Sequence, residues 1–544
     1  MTKPIIRYSR KSVLIIEDFS EYAYSLRGMM TSMGSQRVDL VYNGENAIQA
    51  CKEHQYDIIL SDYNLGDSKD GQQILEELCS FNIMKKSAVF LIITAENTRE
   101  MVMGAIEFEP DSYLTKPFNT HTLKYRLDKA IHKKEIISPI TNLIQKNKLK
   151  AAFKKCEQVL QKYPKFRMTC LKQQFICLKK LKEYKLALSL TTNIVNERPL
   201  PWAILGTGEI YFEQGEFKKA ETVFLELINE FPVVAEGYDW LAKTQYQLGQ
   251  IKQAQETLSR AVDISPKALR RQRKLGHIAE ENFDFDTMAA AFRQAVKFGK
   301  HSAFSTPEEF IKLTKSIGMQ LRGNSDIDRD RLIEEAKSVF IKLNQQFDAD
   351  ATTKFRSEVA QADFSSVTNN KKNVEKHLKA ANKSYQRVEE LLSANQSLEV
   401  SDSLKHLGEQ EMVEMILEEA VEQHFDDPRF MKQVEKLTNN KNLLLNAKKA
   451  DLLNKKATLL FSRKEYADAI KCFTKASKVA PNNVDINLNH AQALLKSFIA
   501  EKNTDYLEKA DVILSRAPSL SVEDPRYQRY LELVRFSQII QQRV

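Results

Sequence analysis

The sequence lacks the features that mark secreted, membrane-spanning or zinc-binding proteins. No apolar run reaches the roughly 18 residues needed to cross a bilayer. The first residues lack the apolar core and small-residue cleavage site of a signal peptide. Six cysteines are scattered over 544 residues without a C-x-x-C pair, so we expect reduced thiols and no zinc site. These absences predict a cytoplasmic protein with no membrane insertion.

Signatures of catalytic and DNA-reading domains are also missing after residue 120. The sequence there shows no G-x-G-x-x-G motif, P-loop, paired-histidine metal motif or helix-turn-helix. The net charge of +9 divides into −5 for residues 1–120 and +14 for the remainder. Because the basic residues are interleaved with glutamates over many predicted helices, a solvated surface is favoured over nucleic acid binding.

Short apolar runs dominate the first 120 residues. The runs at 13–16, 58–60 and 89–93 are rich in β-branched residues, and a weaker run follows at 112–114. Such continuous runs are typical of strands that are buried on both faces of a parallel sheet. The stretches between them have helical spacing. This alternation predicts an α/β domain with a parallel sheet, in which binding sites form at the carboxyl ends of the strands.

Polar residues follow each of these runs. The first ends in Glu17 and Asp18, the second reaches Asp62, the third reaches Thr94, and the last leads into Lys116. Three carboxylates brought to one edge repel one another, and a hard cation such as Mg²⁺ relieves that repulsion through oxygen ligands. Asp62 could then attack a phosphoryl donor as a nucleophile, while Lys116 neutralises charge on the transferred group and Thr94 hydrogen-bonds it.

The motifs LIIEDFS, LSDYNLGD, IITAEN and YLTKPF make residues 10–131 resemble the receiver domain of a bacterial response regulator. The resemblance implies a doubly wound, five-stranded, flavodoxin-like α/β fold that needs Mg²⁺ and has no enzyme activity beyond self-phosphorylation and autodephosphorylation. It implies these roles: Asp62 as phosphoacceptor, Glu17 and Asp18 as the acidic pair, Asn64 as a metal ligand through its backbone carbonyl, Thr94 and Tyr113 as switch residues, Lys116 as the phosphate-binding lysine, and Asn64 with Glu96 as tuners of dephosphorylation.

One segment departs from the family pattern. Receivers usually carry a proline two residues beyond the position of Asn64, where this chain has Gly66, and one extra residue precedes Asp70 and Gly71. We expect this difference to affect the lifetime of the phosphoryl group rather than its acceptance.

A 34-residue period follows the predicted receiver. Gly215, Ala220 and Pro232 recur as Gly249, Ala254 and Pro266. Small residues, an aromatic residue and a terminal proline at this period resemble tetratricopeptide repeats, which form an all-α superhelix. We predict about five repeats at 133–302, an irregular helical or degenerate region at 303–449 where glycine and proline are scarce, and a further repeat with capping helices at 450–544.

Repeats of this kind bind proteins in an extended groove, although they can also serve only as a spacer or dimerisation body. Lys243, Arg270, Arg271 and Arg273 would suit an acidic partner of that groove, but the run at 270–274 fits a solvated helix start equally well. The groove partner itself is not identified by the sequence.

The combined resemblance favours a two-component signalling adaptor. A sensor histidine kinase or phosphotransfer protein would phosphorylate Asp62 and thereby gate the protein interactions of the repeats. Two alternatives stay open: a phosphate sink that docks on a kinase and hydrolyses phosphoryl groups, and a nucleic-acid-binding regulator. Receivers also allow a homodimer through the receiver domain.

Overall fold

A computed structural model describes residues 6–95, 110–323, 328–347, 350–388, 391–515, 520 and 524–541. The chain divides into two compact units, Met1–Glu309 and Phe310–Val544. The first unit contains the predicted sheet domain and the first set of helical repeats, and the second is helical in its described residues.

A parallel five-stranded sheet forms the core of the N-terminal domain. Its strands are β1 Ser12–Ile16, β2 Arg37–Val41, β3 Ile58–Asp62, β4 Val89–Thr94 and β5 Ser112–Thr115, in the spatial order β2-β1-β3-β4-β5. Every residue of β3 and β4 is buried, as the continuous apolar runs predict for central strands. The order reverses at β1, as in doubly wound sheets that place their site between the first and third strands.

The edge strand β2 was not among the runs that the sequence singled out. Only Val38 of its five residues is buried, so RVDLV lacks the continuous apolar character of the central strands. Its pairing with β1 supplies the stabilisation that its own composition does not indicate.

Helices cover both faces of the sheet, and side-chain caps fix where they start. Asn43 caps α2, Asp70 forms a capping box with Gln73 at the start of α3, and Asn119 caps α4. Each cap satisfies backbone N–H groups that have no partner inside the helix. The bounds are α1 Ser20–Ser32, α2 Gly44–Glu53, α3 Gly71–Ser80 and α4 Thr120–Gln145.

Helix α4 continues past residue 131, where the sequence predicted the domain to end. Its first half packs on the sheet through Leu123 and Leu127, and its second half packs among the following helices through Ile137 and Ile140. One continuous helix therefore belongs to both parts. The predicted domain boundaries stay predictions.

Antiparallel helix pairs follow in the first unit. Ala220 and Ala254 are fully buried where paired helices approach, and Gly215 and Gly249 adopt φ values of +76° and +77° in the turns between helices. That left-handed backbone favours glycine. The bounds are α5 Leu149–Lys162, α6 Arg167–Lys180, α7 Tyr184–Glu197, α8 Pro201–Glu213, α9 Phe217–Glu230, α10 Ala235–Gln247, α11 Ile251–Ile264, α12 Leu269–Glu281 and α13 Phe285–Gly299.

The remaining helices begin with one that starts at the end of the first unit. They are α14 Pro307–Gly323, α15 Arg329–Gln346, α16 Ala351–Val367, α17 Lys371–Tyr385, α18 Ala394–His406, α19 Gln410–His424, α20 Pro428–Leu437, α21 Lys441–Ser462, α22 Tyr466–Val479, α23 Val484–Glu501, α24 Thr504–Ser515 and α25 Tyr527–Gln541. Among the described residues, none of the helices is long and apolar enough to span a membrane.

A buried ion cluster lies inside the second unit. Glu399 accepts a hydrogen bond of 2.5 Å from Arg356 and pairs with Lys312 at 3.3 Å. Burial alone would raise the pKa of Glu399, but these cations hold it well below its usual range. The carboxylate therefore stays ionised in the core.

Candidate functional site

The strand register brings the sequence-predicted strand ends together. Ile16 pairs with Ser61, Asp62 with Ile93, and Thr94 with Thr115. The residues that follow β1, β3, β4 and β5 consequently lie along the same carboxyl edge. This confirms the prediction of a parallel sheet with converging strand ends.

An acidic cluster occupies the centre of this edge. Carboxylate oxygens of Glu17, Asp18 and Asp62 lie within 4.8 Å of one another. Glu17 and Asp62 are buried, whereas Asp18 is exposed, so the cluster opens to solvent on one side. Burial and the nearby Asp62 raise the pKa of Glu17 to about 7, although Lys116 opposes the shift. A closely spaced set of oxygen donors that opens to solvent fits a hydrated Mg²⁺ ion.

Lys116 supplies the positive charge of the site. Its ammonium donates to Asp62 Oδ2 at 2.8 Å and to Glu17 Oε2 at 2.9 Å. Burial alone would lower the pKa of Lys116, but these hydrogen bonds raise it. Its backbone N–H donates to the Thr94 carbonyl at 2.7 Å, and the Lys116–Pro117 peptide bond is cis. The lysine therefore bridges the acidic cluster and the end of β4.

The two predicted switch residues lie on neighbouring strands. Thr94 is buried at the end of β4. Tyr113 lies on β5 with its hydroxyl buried, and that hydroxyl has no hydrogen-bond partner among the described residues. Burial raises the pKa of Tyr113 well above its usual range. A buried hydroxyl without a hydrogen-bond partner is energetically costly.

Of the two residues predicted to tune dephosphorylation, Asn64 is among the described residues and Glu96 is not. Asn64 is exposed beside the acidic cluster, and its side-chain oxygen accepts a hydrogen bond from the Gly66 backbone at 3.3 Å. Gly66 has a φ of +67°, so the residue found in place of the usual proline adopts a left-handed conformation. Glu96 lies outside the described residues.

Tyr22 is a site neighbour that the sequence did not single out. Its ring centroid lies 4.1 Å from the Lys116 ammonium, within the range of a cation–π contact. In the sequence, Tyr22 lies within a stretch of helical spacing between the first two apolar runs. The usable signal was its place in the first turn of α1, because that helix begins two residues after the acidic pair.

Comparisons with known proteins agree with this geometry. The family model described as "Response regulator receiver domain" matches residues 13–128, and two tetratricopeptide repeat models match 202–232, 235–267 and 450–483. The chain carries a receiver domain and tetratricopeptide repeats. Receiver domains bind Mg²⁺ at an acidic site of this kind, and neither family is catalytic.

Curated proteins that the receiver resembles include chemotaxis proteins. Chemotaxis protein CheY-3 of Vibrio cholerae is 28% identical over 121 residues, which are 22% of this chain and 92% of the relative. A probable chemotaxis protein CheY of Rhizobium etli is 27% identical over 116 residues, or 21% and 88%. Among solved structures, the signal receiver domain of a modulated diguanylate cyclase from Desulfovibrio desulfuricans G20 is 30% identical, with 23% of this chain and 97% of that chain covered and a TM-score of 0.22.

The receiver loop after Asp62 contacts the repeats. This β3–α3 loop, residues 63–70, begins directly after the acidic cluster. Tyr63 accepts a hydrogen bond of 3.2 Å from Lys267, whose ammonium lies 5.0 Å from the tyrosine ring centroid and 3.8 Å from Asp70. Lys267 precedes helix α12, so one cation of the repeats touches both ends of the loop.

Further polar contacts join the loop and α3 to the end of α13. Lys69 donates to the His301 carbonyl at 2.7 Å, and Gln73 donates to the Phe298 carbonyl at 3.1 Å. Asp67 pairs with Lys300 at 2.7 Å. The receiver contributes mostly acidic groups to this interface and the repeats mostly basic ones, across a cleft of about 420 Å³.

The basic run at 270–274 is only in part the solvated helix start that the sequence allowed, because Arg270 and Lys274 are exposed and the other two arginines are not. Arg271 is only 2% exposed and pairs with Asp239 at 2.7 Å, and Arg273 contacts Glu309. These two arginines neutralise internal acids, so they are not offered to an acidic partner. The sequence could not show this because both acids lie about thirty residues away along the chain.

Proposed function

We propose that this protein is a two-component signalling adaptor in which phosphorylation of Asp62 gates the protein interactions of the repeats. The phosphoryl group would come from a sensor histidine kinase or a phosphotransfer protein. The observation that carries the proposal is the continuity of Asp62 with a loop that holds the repeats.

The chemistry assigned to the site is the transfer of a phosphoryl group to a carboxylate. An Asp62 oxygen attacks phosphorus, the bond between phosphorus and the donor nitrogen breaks, and the donor imidazole keeps the electron pair of that bond. Glu17, Asp18, Asp62 and the Asn64 carbonyl would hold Mg²⁺, which supplies positive charge to the phosphoryl oxygens. Lys116 already contacts Asp62 and would move its ammonium to the new phosphoryl oxygens. Thr94 would donate its hydroxyl to them.

Coupling to the repeats would pass through the β3–α3 loop. A phosphoryl group adds about −1.5 to −2 charges at Asp62. Tyr63 is the next residue, and it shares Lys267 with Asp70. Any rearrangement of the loop around the modified Asp62 therefore changes the contacts with α12 and α13.

The free energy of these contacts is in the range that a conformational switch requires. Three partly buried polar contacts join Tyr63, Lys69 and Gln73 to the repeats, and each contributes about 0.5–1.5 kcal/mol. Their sum is a few kcal/mol. A two-state equilibrium moves from 1:99 to 99:1 with about 5.5 kcal/mol. The contacts thus stabilise the interface by less than the free energy that a complete switch requires. One phosphorylation event could therefore release or remodel the interface.

The proposal is tested by affinity capture from native lysate with the full-length protein as bait, Mg²⁺ present, and beryllofluoride added or omitted. We expect at least one protein other than a kinase whose recovery depends on beryllofluoride. Asp62→Asn should abolish that dependence. Recovery of a kinase alone, unchanged by beryllofluoride, together with rapid loss of phosphate from Asp62, would contradict gating and identify a phosphate sink.

Two further variants distinguish phosphorylation of Asp62 from its coupling to the repeats. Lys267→Gln removes the contacts with Tyr63 and Asp70 and leaves the acidic cluster intact, so Asp62 should still be phosphorylated while the dependence of partner recovery weakens. Lys252→Gln, at an exposed lysine of the preceding helix α11, is the matched control and should behave as wild type. Equal behaviour of the two variants would exclude the loop as the route.

A further inference from the structure

Helix α21 carries a seven-residue sequence repeat with leucines on its outer side. Leu445, Leu452 and Leu459 are 63%, 69% and 52% exposed. The segments that begin at these residues read LNAKKAD, LLNKKAT and LLFSRKE. In the first two, a pair of lysines occupies the fourth and fifth places, and the third segment runs past the end of α21. A single exposed leucine needs no explanation, but three in register form a feature.

The three leucines form one row along the helix, which we call the leucine seam. Seven residues of an α-helix turn about 20° short of two full turns, so the three side chains stay within about 40° of one another. At about 1.5 Å per residue the seam is roughly 21 Å long. The leucines supply one of the two apolar positions of each heptad in a coiled-coil stripe, and lysines occupy the positions three and four residues after Leu445 and Leu452.

The packing of α21 within its own unit does not use this seam. The buried residues of the helix are Ala447, Ala450 and Ala457, on the opposite side, and through that side the helix packs against α19, α22 and α23. Small alanines allow close approach to the neighbouring helices. The leucines project away from them.

Lysines border the leucine seam along both edges. Lys448 and Lys455 lie on one side of it and Lys449 and Lys456 on the other, and all four are exposed. Lys455 forms an ion pair of 2.7 Å with Asp451, the last residue of the first segment. The borders therefore remain basic. In paired helices such bordering positions select partners by charge.

The charge of the bordering lysines distinguishes three possible binding partners of the leucine seam. A second copy of the same helix would bring lysines against lysines, which is unfavourable. An anionic membrane would attract the lysines, but helices that lie in membranes present a wide apolar face with large side chains, whereas this face is one leucine wide. A helix with an apolar stripe and acidic borders satisfies both features.

We propose that the leucine seam of α21 is a docking surface for an amphipathic helix of another protein, whose apolar stripe is bordered by glutamate or aspartate. This site is separate from the receiver interface and requires no phosphorylation.

The test uses the full-length protein and two synthetic helical probes of about four heptads, both with leucine at a and d positions. One probe carries glutamate at e and g, and the other carries lysine. Binding is followed by fluorescence anisotropy of the labelled probe. We expect the acidic probe to bind, the basic probe to fail, and added salt to weaken the complex because the bordering charges are exposed.

Leu452→Gln should weaken the acidic probe about tenfold, since a central apolar contact contributes roughly 1–2 kcal/mol. Charge reversal at Lys449 and Lys456 should shift preference to the basic probe. Met415→Gln, at an exposed apolar residue of α19, is the matched control and should change nothing. Equal binding of both probes, or of wild type and Leu452→Gln, overturns the proposal.

Two further measurements assign the seam to the other occupants if the proposal is wrong. Sedimentation that shows a dimer lost in Leu452→Gln would identify a second copy of the chain. Flotation with anionic phosphatidylserine vesicles that is lost in the same variant, without binding of the acidic probe, would identify a membrane surface.

Discussion

Replacing Lys116 with methionine tests how charge is balanced in the acidic site. The ammonium makes two hydrogen bonds, of 2.8 and 2.9 Å, to Asp62 and Glu17, whose side chains are 11% and 2% exposed. A hydrogen bond to a charged group contributes about 1.5–3 kcal/mol. Because the Lys116 side chain keeps 19% of its exposure, solvent weakens both bonds, and we take the combined loss as about 2–3 kcal/mol.

The expected result depends on Mg²⁺. Without the ion, Lys116→Met leaves the buried Asp62 and Glu17 without their cationic hydrogen-bond donor, so the free energy of local opening, measured by hydrogen exchange in β1 and β3, should fall by about 2–3 kcal/mol. Saturating Mg²⁺ should restore most of that loss, because a divalent cation replaces the missing positive charge.

A matched variant distinguishes charge balance from simple loss of packing. Lys124→Met removes an exposed lysine that pairs with Asp128 at 3.7 Å, so its effect should stay below about 1 kcal/mol with or without Mg²⁺. A loss in Lys116→Met that is the same in both conditions would refute the reasoning, because the lysine would then contribute packing rather than compensating charge.

Four other substitutions test packing and buried charge in the helices by hydrogen exchange and unfolding. Gly208→Ala places a methyl group against a buried phenylalanine ring and should cost about 1–3 kcal/mol, whereas Gly28→Ala meets open space within α1 and should be neutral or stabilising by up to about 1 kcal/mol. Glu399→Gln leaves two buried cations without their carboxylate and should cost about 3–5 kcal/mol. Burial lowers the pKa of His490 to about 4, so α23 should be fully stable above pH 6.5 and lose roughly 3 kcal/mol as the pH falls to 4, and His490→Leu should remove that dependence.

The core of the receiver could be predicted from sequence because local signals and tertiary structure agree there. Continuous β-branched runs mark β3 and β4, and the polar residues after them fall at one edge for any parallel sheet. Strand β2 was missed because an edge strand needs little apolar character. Its sequence resembles a surface segment, and pairing with β1 decides its structure.

Contacts between distant segments set the limit of sequence reasoning. Lys267 and Tyr63 are separated by 204 residues, and neither carries a motif. Arg271 looks solvated in the sequence because its acid, Asp239, lies on the preceding helix pair. The charge distribution was the sequence feature that indicated contact between the two parts, because an acidic receiver precedes basic repeats. Which surfaces that attraction would join depends on how the helices stack.

Control of the repeats by Asp62 through the β3–α3 loop can be measured by hydrogen exchange of the full-length protein with Mg²⁺, with and without beryllofluoride. We predict that exchange changes in the loop and in residues 267–304, that Asp62→Asn abolishes both changes, and that Lys267→Gln abolishes only the change in the repeats. A response confined to the receiver in the wild-type protein would contradict such control.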